Sequence, residues 1–387
     1  MTIHIKYVIL IIMRDRFYRF NSGRVNFFLL AVITTILFAA VLKITSAVVL
    51  PLTVSVFLAL VTSPFVSFMG KLHIPKIISV LLILIFFLGT LFFVGMVLYS
   101  SGQTILTLYP KYEARLTEIY IQIARIFELP YDEHLSFIDN IWGQIGIRSR
   151  VRVMTISFSN AFLQFLSNAV MVAIFMIFLL LEASFFKEKL DKAFEGAGAE
   201  RIKKMSAGIM TQVSRYLSIK FFISVANGVI MAVGLTVIGV EFAIVWGVIQ
   251  FIGNFIPNVG SIAVGLAATG FTLVQFWPDP TPAVAAALVI LGMNLVFSYF
   301  IEPKIMGDNL GLSPLVILLS LLIWGWIWGF TGLIIAVPMM VIVKIVCENI
   351  PMLEPIFILL SSRKAVMAVG SGDNDGREEV KQENETV

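Results

Sequence analysis

The chain is expected to be an all-α polytopic membrane protein. It should have about eight membrane segments, two of them Gly/Pro-interrupted helical hairpins, and a small external helical subdomain. Three observations predict this. Apolar residues fill 59% of the 387 positions and charged residues only 13%, with a mean hydropathy of +0.95. That is more apolar surface than one soluble core of this size needs. Six runs approach the ~20 residues that cross a bilayer, at 27–44, 47–69, 77–98, 158–181, 221–240 and 283–301. Two further runs, 242–277 and 313–346, hold about 35 residues each, too many for one upright span, and each is interrupted near its middle.

The first interruption is Asn254-Phe-Ile-Pro-Asn-Val-Gly-Ser261. Pro257 lacks an amide proton and obstructs the preceding helical turn. Gly260 loosens the backbone, and Asn254, Asn258 and Ser261 put polar groups among apolar neighbours. The second is Gly325-Trp-Ile-Trp-Gly329-Phe-Thr-Gly332. Freed backbone groups at membrane depth are tolerated only against protein or a water-filled cavity. Paired interruptions of this kind point to a transport site; a proline kink without a ligand is the alternative for the first.

In chain order, residues 1–26 form a basic segment carrying Lys6, Arg14, Arg16, Arg19 and Arg24. The arginines follow the short apolar stretch, the reverse of a signal peptide, so it reads as interfacial; an over-long start, with translation beginning at Met13, is the other reading. Spans one to three occupy 27–99. Residues 100–155 are expected to be an extracytoplasmic helical subdomain. Leu108, Tyr112, Leu116, Ile119, Ile123 and Ile126 recur there at helical spacing between charges, and Pro130 divides it. Its stripe is expected to pack on itself or on a neighbouring subunit. Span four lies within 156–182. An amphipathic cytoplasmic connection, 183–220, precedes a transport core at 221–348. The cytoplasmic tail, 349–387, should be disordered from about 371, where acids and glycines replace apolar residues.

The Lys/Arg bias places the N-terminus, the loop with Lys71 and Lys76, the 183–220 connection and Arg363-Lys364 in the cytoplasm, with both termini inside. The first hairpin then enters from outside and the second from the cytoplasm. Arg148, Arg150 and Arg152 fall on the outer side and run against this topology.

The side chains of the core suggest the chemistry. No acid lies between 242 and 278; Gln250, Asn254, Asn258 and Ser261 do, with Asn227, Asn294 and Ser298 on neighbouring spans. These donate and accept hydrogen bonds and suit a neutral or weakly anionic polyol. The half-helix after Gly260 should aim free amides inward, and Thr331 should cap the second half-helix as a side-chain acceptor. Glu302, beside Pro303, reads either as a gate paired with Lys304 or with a base on the cytoplasmic connection, or as a solvated loop acid, which is the plainer reading. Lys344 should snorkel to the interface. The Gly325 to Gly329 spacing suits helix packing more than ligand contact. The candidate binding and gating set is therefore Gln250, Asn254, Pro257, Asn258, Gly260, Ser261, Glu302, Pro303, Gly329, Thr331 and Gly332.

Enzyme chemistry finds no support. There is no Gly-rich phosphate loop with Lys-Ser/Thr, no His-Glu-x-x-His helix and no Gly-x-Ser-x-Gly elbow. Cys347 is the single cysteine, and His4, His73 and His134 have no metal-ligand spacing, so no metal or cofactor is expected. The expected partners are a small polar solute, the bilayer and further copies of the chain, with no nucleic acid.

Glu241-Phe-Ala-Ile-Val-Trp-Gly-Val-Ile, the 254–261 motif, Glu302-Pro-Lys-Ile-Met-Gly307, Leu310-Gly-Leu-Ser313, Leu321-Leu-Ile-Trp-Gly-Trp326 and Gly332-Leu-Ile-Ile-Ala-Val-Pro338 together resemble the autoinducer-2 exporter-like permeases, over roughly residues 27–360. Many relatives have a second proline where this chain has Ser261; Asn258 and Ser261 look like the exporter type. The resemblance implies about eight membrane segments, an inner-membrane location and oligomers. It also implies two possible activities, since the family includes members assigned to sodium-proton antiport. Export of a small polar signal is the expected function, with antiport and an oligomeric channel or scaffold as the alternatives.

Overall fold

The computed structural model describes residues 22–127, 167–182, 197–257, 259–306 and 311–362, with the pairs 185–186, 188–189 and 192–193. Asn258, Gly307, the 128–155 part of the external region, Arg363-Lys364 and the tail, and the segment before residue 22 lie outside the described residues. The helices are α1 (Ser22–Ile44), α2 (Ser46–Lys71), α3 (Lys76–Phe127), α4 (Ser167–Glu182), α5 (Ala197–Ile238), α6 (Ala243–Gly253), α7 (Val259–Phe276), α8 (Thr281–Leu295), α9 (Glu302–Met306), α10 (Pro314–Asn349) and α11 (Glu354–Leu360). A π-helical turn, Val296–Ile301, joins α8 to α9. Among the described residues the only β pairing is one isolated bridge between Leu312 and Ser361.

Among the described residues six helices are long and apolar enough to cross a bilayer, and shorter apolar helices accompany them. Their outer faces confirm the solvent they are built for. Ile77, Phe86 and Phe92 of α3 are 72%, 70% and 75% exposed, as expected of side chains that meet lipid rather than water. The chain is an all-α polytopic membrane protein.

Two helices outrun the bilayer. The 52 residues of α3 would rise about 78 Å; its apolar stretch ends near Ile105 and a charged arm continues to Phe127 without interruption, despite Pro110. The region after the third span therefore starts as an extension of that span. Likewise α5 joins the end of the amphipathic connection to the fifth span in one helix of 42 residues.

Both long apolar runs are broken, by different means. The 11 residues of α6 rise about 16 Å, roughly half of a ~30 Å hydrocarbon core. A tight tip then turns the chain back into α7. Here a close approach is decisive: a Cβ on Gly260 would stand 1.8 Å from the Gly253 carbonyl oxygen. In α10 the break is conformational. Trp328 (φ −123°, ψ 15°) and Gly329 (φ 61°, ψ −138°) leave the helical region, and Gly329 takes a φ that side chains resist. A Cβ on Gly329 would meet nothing within 4 Å, so its role is backbone conformation rather than the helix packing expected from its spacing. Across the break, a Cβ on Gly332 would fall 1.9 Å from the Trp324 carbonyl oxygen.

Three buried clusters hold the elements. Val80 and Ile83 of α3 meet Met176 and Leu180 of α4, and the Ser55 hydroxyl of α2 donates to the carbonyls of Pro51 (2.6 Å) and Val172 (3.0 Å). The α6–α7 hairpin packs with α5 and α8 through Met231, Leu235, Ala243, Ala268, Ala286 and Ile290. The third cluster gathers Val213, Tyr216 and Leu217 of α5 with Trp324, Ile327, Trp328, Val341 and Ile345 of α10, and includes Ile256 from the hairpin tip. Both interruptions therefore share one core.

Gly332→Ala is expected to lower the thermal unfolding midpoint in detergent, because the obstacle, the Trp324 carbonyl, is backbone and cannot step aside; the strain should reach at least the ~1–3 kcal/mol of ordinary overpacking. Gly270→Ala, whose Cβ would meet nothing within 4 Å, should leave it unchanged.

Candidate functional site

The site is built on α5, which carries polar residues along an otherwise apolar face. Lys220, Ser224 and Asn227 follow one another at i, i+4 and i+7, a spacing that aligns them on one side of a helix. All three are buried, at 3%, 0% and 1% exposure. Against this face pack α6 and its tip.

At the tip, Asn254 bridges both neighbours. Its Nδ2 donates to Ser224 Oγ of α5 (3.0 Å), and its Oδ1 accepts from Ser261 Oγ of α7 (3.0 Å). Backbone bonds close the turn: Ile256 N–H donates to Gly253 O (2.9 Å), Val259 N–H to Pro257 O (2.6 Å) and Gly260 N–H to Ile256 O (3.2 Å). The amides of Val259 and Gly260, the first two of α7, are thus used within the tip. One turn before Asn254 lies Gln250, fully buried, with neither amide atom partnered among the described residues. Asn227 Oδ1 and Ser218 Oγ on α5 are buried and unpartnered in the same sense. Each such group costs ~1–3 kcal/mol when nothing bonds it.

The structure therefore brings together Gln250, Asn254, Gly260 and Ser261, with Pro257 half-buried in the turn. The other expected residues divide. Gly329 and Gly332 form the α10 break. Thr331 lies inside the first turn of the second half; the cap position falls on Gly329, so the capping role is corrected. Asn294 is half-buried near Gly265 of α7 and Ser298 is exposed, which removes Ser298 from the site.

Glu302 is not a solvated loop acid. Lys220 Nζ donates to Glu302 Oε1 at 2.7 Å, the lysine side chain being 4% exposed and the glutamate 24%. Pro303 and Lys304 beside it are exposed, so the partner is the base on α5 and not Lys304. Lys344 also departs from its expectation: it is buried, with its Nζ 5.8 Å from the Phe357 ring centroid, rather than reaching an interface. Lys220 is the last base of the 183–220 connection, the alternative partner expected for Glu302 but not singled out by number; Ser224 was missed. Their i, i+4, i+7 register with Asn227 was the available signal, but Lys220 stood at the charged edge of the run and read as its boundary.

Long apolar helices packed around two interrupted runs make this a multi-pass membrane protein. The chain belongs to the AI-2E transporter family, whose model matches residues 30–352. It is 35% identical over 201 residues to a putative transport protein of Borreliella burgdorferi, covering 52% of this chain and 56% of that protein. It is 36% identical over 201 residues to the AI-2 transport protein TqsA of Escherichia coli, covering 51% and 56%. A sodium-lithium/proton antiporter of Halobacillus andaensis is 31% identical over 173 residues, covering 44% and 47%. The chain thus spans about half the length of each of these relatives in the matched region.

The buried ion pair generates a stability prediction. Lys220→Met leaves Glu302 facing an apolar wall and should cost ~3–5 kcal/mol, whereas the Lys220→Met/Glu302→Gln pair should recover most of it. Thermal unfolding of the three forms in one detergent checks this; equal losses in single and double variants would count against a direct pair.

Proposed function

We propose that the protein exports a small polar solute or signal across the inner membrane, with autoinducer-2 as the lead substrate, through the tip of the α6–α7 hairpin. The observation that carries this reading is Gln250: a fully buried amide with both its donor and its acceptor unpartnered among the described residues, one helical turn from the Asn254, Ser224 and Ser261 network. A neutral polyhydroxylated solute matches such groups, since each hydroxyl both donates and accepts. The similarity to an AI-2 transport protein supports the same substrate. In this reading the Lys220–Glu302 pair is the gate, linking α5 to the α8–α9 arm; Pro257 shapes the tip, Asn258 is assigned to solute binding, and Gly329, Thr331 and Gly332 shape the opposing break. The protein works as a homo-oligomer with both termini in the cytoplasm.

A second reading is sodium or lithium/proton antiport. It is favoured by one observation, the carboxylate of Glu302 held in a nearly buried ion pair, together with the antiporter relative.

The readings separate in reconstituted vesicles. Export predicts that the protein changes the distribution of autoinducer-2, in cells and in vesicles alike. Unchanged distribution together with cation-dependent pH changes supports antiport, and steady unitary currents in a planar bilayer support a channel. Asn254→Ala, Asn258→Ala and Pro257→Ala should each lower export about five- to tenfold at retained expression, the effect of losing one hydrogen bond or the shape that presents it. Parallel loss of expression and export would reassign these residues to folding.

A further inference from the structure

The charged arm of α3 does not stand apart from the transport hairpin. It reaches the hairpin's base, at the end opposite the tip, where α5 gives way to α6. Lys111 Nζ lies 2.6 Å from Glu241 Oε1, and the Tyr112 hydroxyl donates to Glu241 Oε2. The Tyr112 ring packs on Phe271 of α7, with centroids 5.3 Å apart, and Phe242 and Trp246 close on the same ring at 5.9 and 5.7 Å. We propose that Lys111 and Tyr112 are positioning residues of the hairpin, clamping Glu241 and Phe271 so that its base stays fixed while its tip is free to hinge.

Four observations converge on this. Gln275 ties the two ends of the hairpin together, accepting from Glu241 N–H (2.8 Å) and donating to Gly239 O (3.0 Å). The base is thus closed before the arm meets it, and the arm grips both halves at once. Phe242, the cap of α6, is held at φ 60°, a left-handed conformation that a bulky residue keeps only where its surroundings over-determine it. The charge state is suited to a permanent grip. Burial works to raise the Glu241 carboxyl, but the hydrogen bonds from Lys111 and Tyr112 and the lysine charge outweigh it and hold it below its usual range. The contact is therefore intact at neutral pH and lost only as pH falls through that depressed value. Burial and the neighbouring carboxylate keep the Tyr112 hydroxyl protonated, as a donor. The ends of the hairpin also differ in kind. The base has an ion pair, a phenol bond and an aromatic cluster, while among the described residues the side-chain bonds of the tip are two neutral ones. An exposed ion pair alone would hold little. Here it shares its carboxylate with a tyrosine whose ring is locked into the hairpin.

The importance of the clamp for transport rests on the function proposed above; its existence does not. Hydrogen exchange on the full chain in lipid nanodiscs tests the clamp without any substrate. Glu241→Ala should speed exchange of the amides of 241–253 about threefold or more, with 314–349 unchanged. Tyr112→Phe, which keeps the ring and loses only the donor, should give a smaller rise in the same segment. The charge exchange Lys111→Glu/Glu241→Lys, which restores the ion pair but not the acceptor of the Tyr112 hydroxyl, should bring the rate back down to about that of Tyr112→Phe. No acceleration in Glu241→Ala, or no recovery on charge exchange, overturns the proposal. In vesicles that move autoinducer-2, the variants should lower the maximum rate while leaving half-saturation unchanged. If the native chain moves none, the function proposed above fails and the exchange result still decides the clamp; a raised half-saturation at unchanged maximum rate would place these residues at the solute instead.

Discussion

A helix that stops inside hydrocarbon leaves amides and carbonyls with no water to turn to, at a cost of several kcal/mol each, on the order of the transfer penalties. The rest of this molecule follows from how that is met. At the first break the chain turns so tightly that Gly253 and Gly260 touch backbone to backbone, and the turn's own amides and carbonyls pair. Asn254 then spans the gap, bonded to α5 on one side and α7 on the other. The second break departs from the helix at Trp328 and Gly329 and shares with the first only a close glycine contact, Gly332 against the Trp324 carbonyl. Because each break must be covered by protein, the two come to share one core, and Ile256 of the first tip joins Trp324, Ile327 and Trp328 of the second.

Charge is distributed to match. Between its ends the hairpin carries neutral hydrogen-bonding groups, and the ionised ones stand away from its interior. Lys220 and Glu302 form a nearly buried pair where α5 meets α9; Lys111 and Glu241 form a partly exposed one at the hairpin base. A buried pair contributes little net stability, since desolvation offsets attraction, yet separating it is costly. That asymmetry suits a gate. The partly exposed pair is cheap to solvate and gains its hold from the aromatic packing beside it.

Much of this was readable from residue chemistry that acts locally. The interruptions were legible because proline lacks a donor and glycine lacks a Cβ wherever they stand, and Gln250, Asn254 and Ser261 stood out because amides and hydroxyls are anomalous in an apolar run. Roles that depend on a distant partner were not. Glu302 read as a loop acid because its lysine lies 82 positions away in sequence. Thr331 was assigned a cap that belongs to Gly329, since the break falls two residues earlier than its polar side chain suggested. The stripe on the arm after Ile105 was legible as a packing face, but the surface it meets, α6 and α7, was not.

The sequence by itself determined the solvent, the class of element and the places where helices must fail, because hydropathy and backbone chemistry need no knowledge of neighbours. Only the tertiary structure decided which polar groups find partners and which remain open. A hydrogen bond or an ion pair acts over a few ångströms, and the residues that complete it here are brought within that range by the packing of helices far apart in the chain.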